Sequence, residues 1–216
     1  MRKLVSKRLV MVFMVGVLLL GMAMAAQARG GLTGTKIVID PGHGNWDPGA
    51  VGPTGLKEKD VNWRVGTALR NILVEWGGAT VKLTRNGDAY DVDLWQRANI
   101  ANQWGADRFI SIHHNASVNS WVNGTEVYAH PYGGWADFNL RDNVQASLVQ
   151  GMGLPDWGGK TANFAVLRYT TMPAILTEAS FISNPAEEAR LWDKGYTWRE
   201  AYYIYRGLAW HYGVNP

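Results

Sequence analysis

Five residues of this 216-residue chain have the types and placement for metal-assisted hydrolysis: His43, Glu58, His113, His114 and Glu178. His43 lies in IVIDPGHGNWDPG (37–49), where an apolar run stops and one imidazole sits between two glycines, in a turn stiffened by two prolines. Glu58 heads a helix-like segment in LKEKD, His113 and His114 end RFISIHH (108–114), and Glu178 closes the apolar part of AILTEA (174–179). Two histidines, one carboxylate and a water around one ion make up a catalytic zinc site. Singly, each residue has a plainer reading. A turn histidine is often just solvated, and Glu58 at a helix start could serve the helix dipole. Glu178 is the hardest to explain as structure, because an ionised carboxylate in apolar surroundings costs several kcal/mol unless paired or protonated. No HExxH motif anchors the set.

The elements that must position these residues alternate. KIVID (36–40) is a short β-branched run ended by Pro-Gly. Residues 58–76 place Val61, Val65, Ala68, Leu69, Ile72 and Leu73 on one helical stripe, closed by Gly77-Gly78. ATVKLT (79–84) reads as a strand. Asp93–Trp104 reads as an amphipathic helix with Leu94, Ala98 and Ala101 inward, and 108–114 as a strand buried on both faces. A strand at 125–130 and a helix at 136–150 follow, then an exposed Gly-rich loop, GMGLPDWGGKTAN (151–163). FAVLR (164–168) and AILTEA read as strands, Ser183-Asn184-Pro185 opens a short helix, and 198–212 forms the last one. The expectation is an α/β fold: a single domain with a mostly parallel (mixed) central sheet of about six strands and helices on both faces. In open α/β sheets ligands bind outside the carboxyl ends of the strands, which is where the five residues fall.

Residues 1–28 order four basic side chains, an apolar run and the small-residue sites Ala23-Met24-Ala25 and Ala26-Gln27-Ala28. That is the order of a secretory signal peptide, cleaved near Ala25 or Ala28; an uncleaved anchor is the alternative, although the run is short for a span. Both readings place the remainder outside the cytoplasm. Without those four charges the formal +3 of the chain falls to −1, which gives no support to a nucleic-acid partner. About 188 residues remain, enough for one domain with a sizeable core. The chain has no cysteine, so no disulfide framework supports it. Some of its eleven tryptophans could stack on sugar rings, though packing explains them equally well.

VIDPGHGNWDPGA (38–50), GLKEKDVN (55–62), FISIHHNA (109–116) and AILTEASFISNP (174–185) occur in that order, with LTR (83–85), RANIAN (97–102) and VLR (166–168) between them. In these motifs the chain resembles the zinc-dependent N-acetylmuramoyl-L-alanine amidases of the amidase-3 type, bacterial peptidoglycan hydrolases, over essentially all of 36–213. The resemblance implies a catalytic domain over 35–214 with one Zn²⁺ per chain, held by His43, Glu58 and His113, and with Glu178 as catalytic acid/base. Strand alternation agrees, since His113 and His114 point to opposite faces and cannot both reach one ion undistorted. At neutral pH Glu178 is expected to act first as a base.

The implied substrate is the amide between N-acetylmuramic acid and L-alanine of the stem peptide in peptidoglycan. Asn115, Arg168, His114 and the 154–162 loop with Trp157 are candidates for holding it, although Arg168 could equally be a structural ion-pair partner and His114 a group behind the ligands or a helix-facing polar residue. Asp40 could orient a ligand histidine or cap its turn. Ala179-Ser180 stands where the family often has Thr-Gly. The loop before residue 125 is too short for the self-blocking helix of some relatives, which implies an open cleft governed by localisation or an outside partner. A hydrolase of another wall bond (peptidase or deacetylase) and a non-catalytic wall-binding protein are the alternatives.

Overall fold

The computed structural model describes residues 30–88 and 92–216; the leader-like segment 1–28 lies outside them. Six strands form one sheet: β1 (Lys36–Pro41), β2 (Thr80–Leu83), β3 (Arg108–Asn115), β4 (Thr125–Ala129), β5 (Asp156–Thr161) and β6 (Ala174–Phe181), in the order β2-β1-β3-β6-β4-β5. β2, β1, β3 and β6 are parallel; β4 runs antiparallel to β6 and parallel to β5. The helices are α1 (Glu58–Glu75), α2 (Leu94–Trp104), α3 (Trp135–Met152), α4 (Ala165–Tyr169), α5 (Pro185–Leu191) and α6 (Lys194–His211).

The period-2 alternation of the strands divides the core in two. Ile37, Ile39, Ile110, Ile112 and Ile175 point to one face and pack with the buried stripes of α1, α3 and α6. Val38, Phe109, Ala174 and Leu176 point to the other, where Ala101 of α2 and Val166 and Leu167 of α4 cover them. The second face is only partly roofed, and its open part lies over the carboxyl ends of β1, β3 and β6. Asp40, His113, Glu178 and Leu176 on that face line a cleft of about 630 Å³.

Local chemistry sets the element ends. Asp93 and Gln96 form a reciprocal capping box that starts α2, and Gly105 ends it in the left-handed conformation. Asn184 caps α5 by accepting from the Ala186 and Glu187 amides, with Pro185 at the first helical position. Asp193 caps α6, which therefore begins four residues before the expected 198. Leu94, expected to face inward, is 57% exposed at the rim of the cleft.

Two expectations are exchanged. FAVLR is not a strand: the Leu167 and Arg168 amides donate to the Phe164 carbonyl, and the turn buries the consecutive residues Val166 and Leu167, which a strand would separate. The sixth strand instead comes from DWGGKT in the expected loop, pairing Val127 with Gly159 and Tyr128 with Lys160 at the sheet edge. Its side chains are exposed or half-buried, so hydropathy carried no signal for it. Among the described residues no helix is long and apolar enough to cross a membrane.

Candidate metal centre and active site

After Pro41 the chain leaves the sheet in a tight turn. The Gly44 and Asp47 backbones exchange two hydrogen bonds of 2.9 Å. His43 and Asn45 adopt φ of +60° and +48°, an uncommon state for side-chain-bearing residues that costs about 1–3 kcal/mol and persists only when its surroundings enforce it. Here they do. Arg97 donates to the His43 and Pro41 carbonyls, at 2.7 and 3.0 Å, and Arg85 donates to the Pro41 carbonyl at 2.8 Å. Arg97 is itself held by the fully buried Asp40, which also accepts from Thr84 and Ser111. Burial would push the Asp40 carboxyl up, but Arg97 and Thr84 hold it below its ordinary value. Asp40 therefore ties down the turn, and its carboxylate bonds Arg97, Thr84 and Ser111 rather than either candidate imidazole. Asp47 does that work, with Oδ2 2.7 Å from His43 Nδ1, so Nε2 faces inward.

His43 Nε2 lies 3.0 Å from Glu58 Oε2, and His113 Nδ1 lies 3.0 Å from Glu58 Oε1. Glu58, 4% exposed at the first position of α1, also accepts from the Ala50, His114 and Asn62 N–H groups. Burial opposes its ionisation, yet the His113 and His43 hydrogen bonds outweigh this and hold the carboxyl well below the usual carboxylate range. Glycine makes the room. A Cβ on Gly42 would overlap the His113 ring, and one on Gly49 would overlap both Glu58 and His43. One donor atom from each of His43, Glu58 and His113 falls within 4.8 Å of the others, so the three could hold a metal ion. Two imidazoles and a carboxylate suit a borderline cation such as zinc.

Glu178 stands beside this cluster on the neighbouring strand, in register with His113, and lines the same cleft. Its Oε2 is buried without a hydrogen-bond partner among the described residues. Burial raises its carboxyl well above the ordinary value, and the Glu58 and Glu126 charges add to the effect. Glu178 thus lines the space in front of the cluster with a carboxyl that burial biases towards its protonated form.

The family model described as N-acetylmuramoyl-L-alanine amidase (Amidase_3) matches residues 37–209. The chain belongs to this amidase family. It is 43% identical over 157 residues to the sporulation-specific N-acetylmuramoyl-L-alanine amidase of Bacillus subtilis (strain 168), a match covering 72% of this chain and 60% of that relative. The chain thus spans about three fifths of the length of that relative. The catalytic domain of CwlV, an N-acetylmuramoyl-L-alanine amidase from Bacillus (Paenibacillus) polymyxa var. colistinus, superimposes with a TM-score of 0.78 at 36% identity. That superposition covers 84% of this chain and 99% of the other. The CwlD amidase of Clostridioides difficile, solved in complex with the GerS lipoprotein, gives a TM-score of 0.77 at 28% identity over 84% and 100% of the two chains.

Within this amidase-family domain, the other candidate residues lie elsewhere. His114 is 1% exposed on the face opposite the cleft, between Asn62 and Glu200, and cannot touch a substrate; strand alternation sends it there, and its substrate role is corrected. Burial disfavours its cation, but the Glu200 carboxylate more than offsets this and raises its pKa. Asn115 sits at the irregular end of β3, its Oδ1 accepting from the Ala116 amide, and is not part of the cleft lining. Arg168 is exposed on α4, bonded to Asn163 and Tyr169, and is likewise outside the lining. Trp157 packs on Phe181, with ring centroids 5.1 Å apart. The walls are instead Val92, Asp93 and Leu94 at the start of α2, and Phe164, Ala165 and Val166 at the start of α4. The sequence signal for Asp47 was an acid four residues after a histidine in the same turn; none marked the walls. Residues 116–124 contain no helix.

Proposed function

We propose that this chain is a zinc-dependent hydrolase, exported from the cytoplasm, that cleaves the amide between N-acetylmuramic acid and L-alanine of the stem peptide in peptidoglycan. The observation that carries the reading is the convergence of His43, Glu58 and His113 with the unpartnered Glu178 on one sheet edge, in a chain of this family. His43, Glu58 and His113 would hold one zinc ion, which supplies Lewis acidity and lowers the pKa of a bound water from ~15.7 towards ~7. The Glu178 carboxylate takes the proton of the attacking water and delivers it to the leaving nitrogen of L-alanine as the C–N bond breaks. Such transfer contributes typically ~10²–10⁴-fold. In the metal-free protein burial and Glu58 favour the protonated Glu178. Charge neutralisation at the cluster lowers that bias, and Glu178 then begins the cycle as a base. Asp47 keeps the His43 ring turned inward. Leu94, Phe164, Val166 and Leu176 give the cleft apolar walls.

On this reading residues 1–28 are the export signal and 35–214 the catalytic domain. With no helix in 116–124 the cleft stays open, and control falls to localisation or to an outside protein partner, as the complex of CwlD with a lipoprotein illustrates for that relative. Mass spectrometry of purified wall fragments tests the reaction. Digestion should yield free muramic lactyl carboxylates and new L-alanine amino termini, and a chelator should abolish both. Cleavage of another wall bond, or products unaffected by the chelator, contradicts the proposal.

A further inference from the structure

The proposed chemistry leaves one buried network unused. The His114 and Glu200 side chains have no solvent exposure and lie where α1 and α6 cover β3. Glu200 Oε2 is 3.0 Å from His114 Nε2, and His114 Nδ1 is 2.8 Å from Asn62 Oδ1. The Asn62 amide nitrogen donates to the Gly42 carbonyl and to Glu58 Oε1, both at 3.2 Å. With Nδ2 facing two acceptors, Oδ1 is the atom that faces His114, and it can only accept. His114 therefore donates from Nδ1. Its backbone N–H donates to the same Glu58 Oε1 at 3.1 Å.

We infer that Glu200, acting through His114 and Asn62, is a positioning residue for the Glu58 carboxylate at the metal centre. The inference rests on the reading of Glu58 as a metal ligand. Asn62 ties Glu58 Oε1 from the side away from the cleft, and the same amide ties Gly42, against which the His113 ring packs. Two of the three candidate ligands thus lean on one side chain. Glu200 Oε2 holds the imidazole from the far helix, and the imidazole in turn fixes which way the Asn62 amide faces. Packing alone does not call for this pair, since apolar residues of similar volume often replace buried ion pairs without loss of stability. Glu200 Oε1 moreover has no partner among the described residues.

The test reads Zn²⁺ affinity of the purified chain by competition with a chromophoric chelator, beside the thermal midpoint of the metal-free protein. Glu200→Leu removes the partner of His114 Nε2. Glu200→Gln keeps a partner, because its amide can donate to a bare Nε2 and leave the Nδ1 proton on Asn62. His114→Leu combined with Glu200→Leu replaces the pair by apolar groups and preserves folding. Zinc should bind about 10–100-fold more weakly in Glu200→Leu and in the double variant, and within about threefold of the parent in Glu200→Gln. Glu187→Gln is the control. Glu187 is equally buried but bonds Tyr196, Asn123 and Arg190, so its loss should lower the midpoint and leave zinc affinity alone. Unchanged zinc affinity in a folded leucine variant, or an equal loss in Glu187→Gln, overturns the inference. A parent chain that binds no zinc overturns the metal-site reading instead, so the two failures are distinct.

Discussion

Gly49→Ala separates what the backbone needs from what the metal centre needs. Gly49 has φ +66° and Gly105, at the end of α2, has φ +65°, so alanine meets the same backbone penalty at both. That penalty is about 1–2 kcal/mol, a fall of about 2–8 °C in the thermal midpoint for a chain of this size. Their surroundings differ. A Cβ at Gly105 enters open space, whereas at Gly49 it would stand 2.5 Å from Glu58 Oε2 and 2.6 Å from His43 Cδ2. Comfortable contact needs about 3.5 Å, so relief requires a displacement near 1 Å shared between the turn and two candidate ligands. Metal sites keep their ligand distances to about ±0.2 Å. Gly49→Ala should therefore bind Zn²⁺ at least about 100-fold more weakly, close to 2.7 kcal/mol, while Gly105→Ala loses stability alone. Zinc titration and thermal melts of the metal-free proteins measure both terms. Equal zinc affinities in the two variants would refute the claim that Gly49 is required by the ligands.

Other substitutions probe the separate roles. Glu178→Gln should retain zinc and lose turnover by about 10²–10⁴-fold in a wall-digestion assay. The raised Glu178 carboxyl makes the metal-free native state hold an extra proton above its free value near 4.3, so stability falls as pH rises through that window. Glu178→Gln should remove this fall, as thermal melts of both proteins across pH 4–8 would show. Arg97→Met strands the fully buried Asp40 and frees the His43 carbonyl; it should cost about 3–5 kcal/mol in denaturant unfolding. His113→Ala should lose zinc, measured by metal analysis, together with activity that added zinc does not restore.

Much of the site could be read from the chain because its residues end strands, and strand ends converge in an α/β sheet. Alternation showed that His113 and His114 could not share one ion, the family motif chose His113, and the structure puts the two on opposite faces. Asp47 against Asp40 was not separable. Both flank the histidine turn, and only the folded turn shows that Asp47 reaches the ring while Asp40 turns to Arg97. The exchange of α4 for β5 has a similar cause. FAVLR has strand-like residues but folds as one helical turn, because burying adjacent Val166 and Leu167 closes the core beneath α2. DWGGKT has no apolar period and becomes a strand through backbone pairing with β4, which local composition cannot reveal. Substrate-side candidates chosen by residue type, Asn115 and Arg168, lie outside the cleft lining, since a loop position does not specify a direction.

Diffraction at the zinc absorption edge, on crystals of the zinc-loaded protein, tests the central claim most directly. The account predicts one anomalous peak per chain, bonded to His43 Nε2, His113 Nδ1 and a Glu58 oxygen, with Glu178 facing it and unbonded. A peak coordinated by His114, one on surface carboxylates alone, or no peak in the cleft would contradict it.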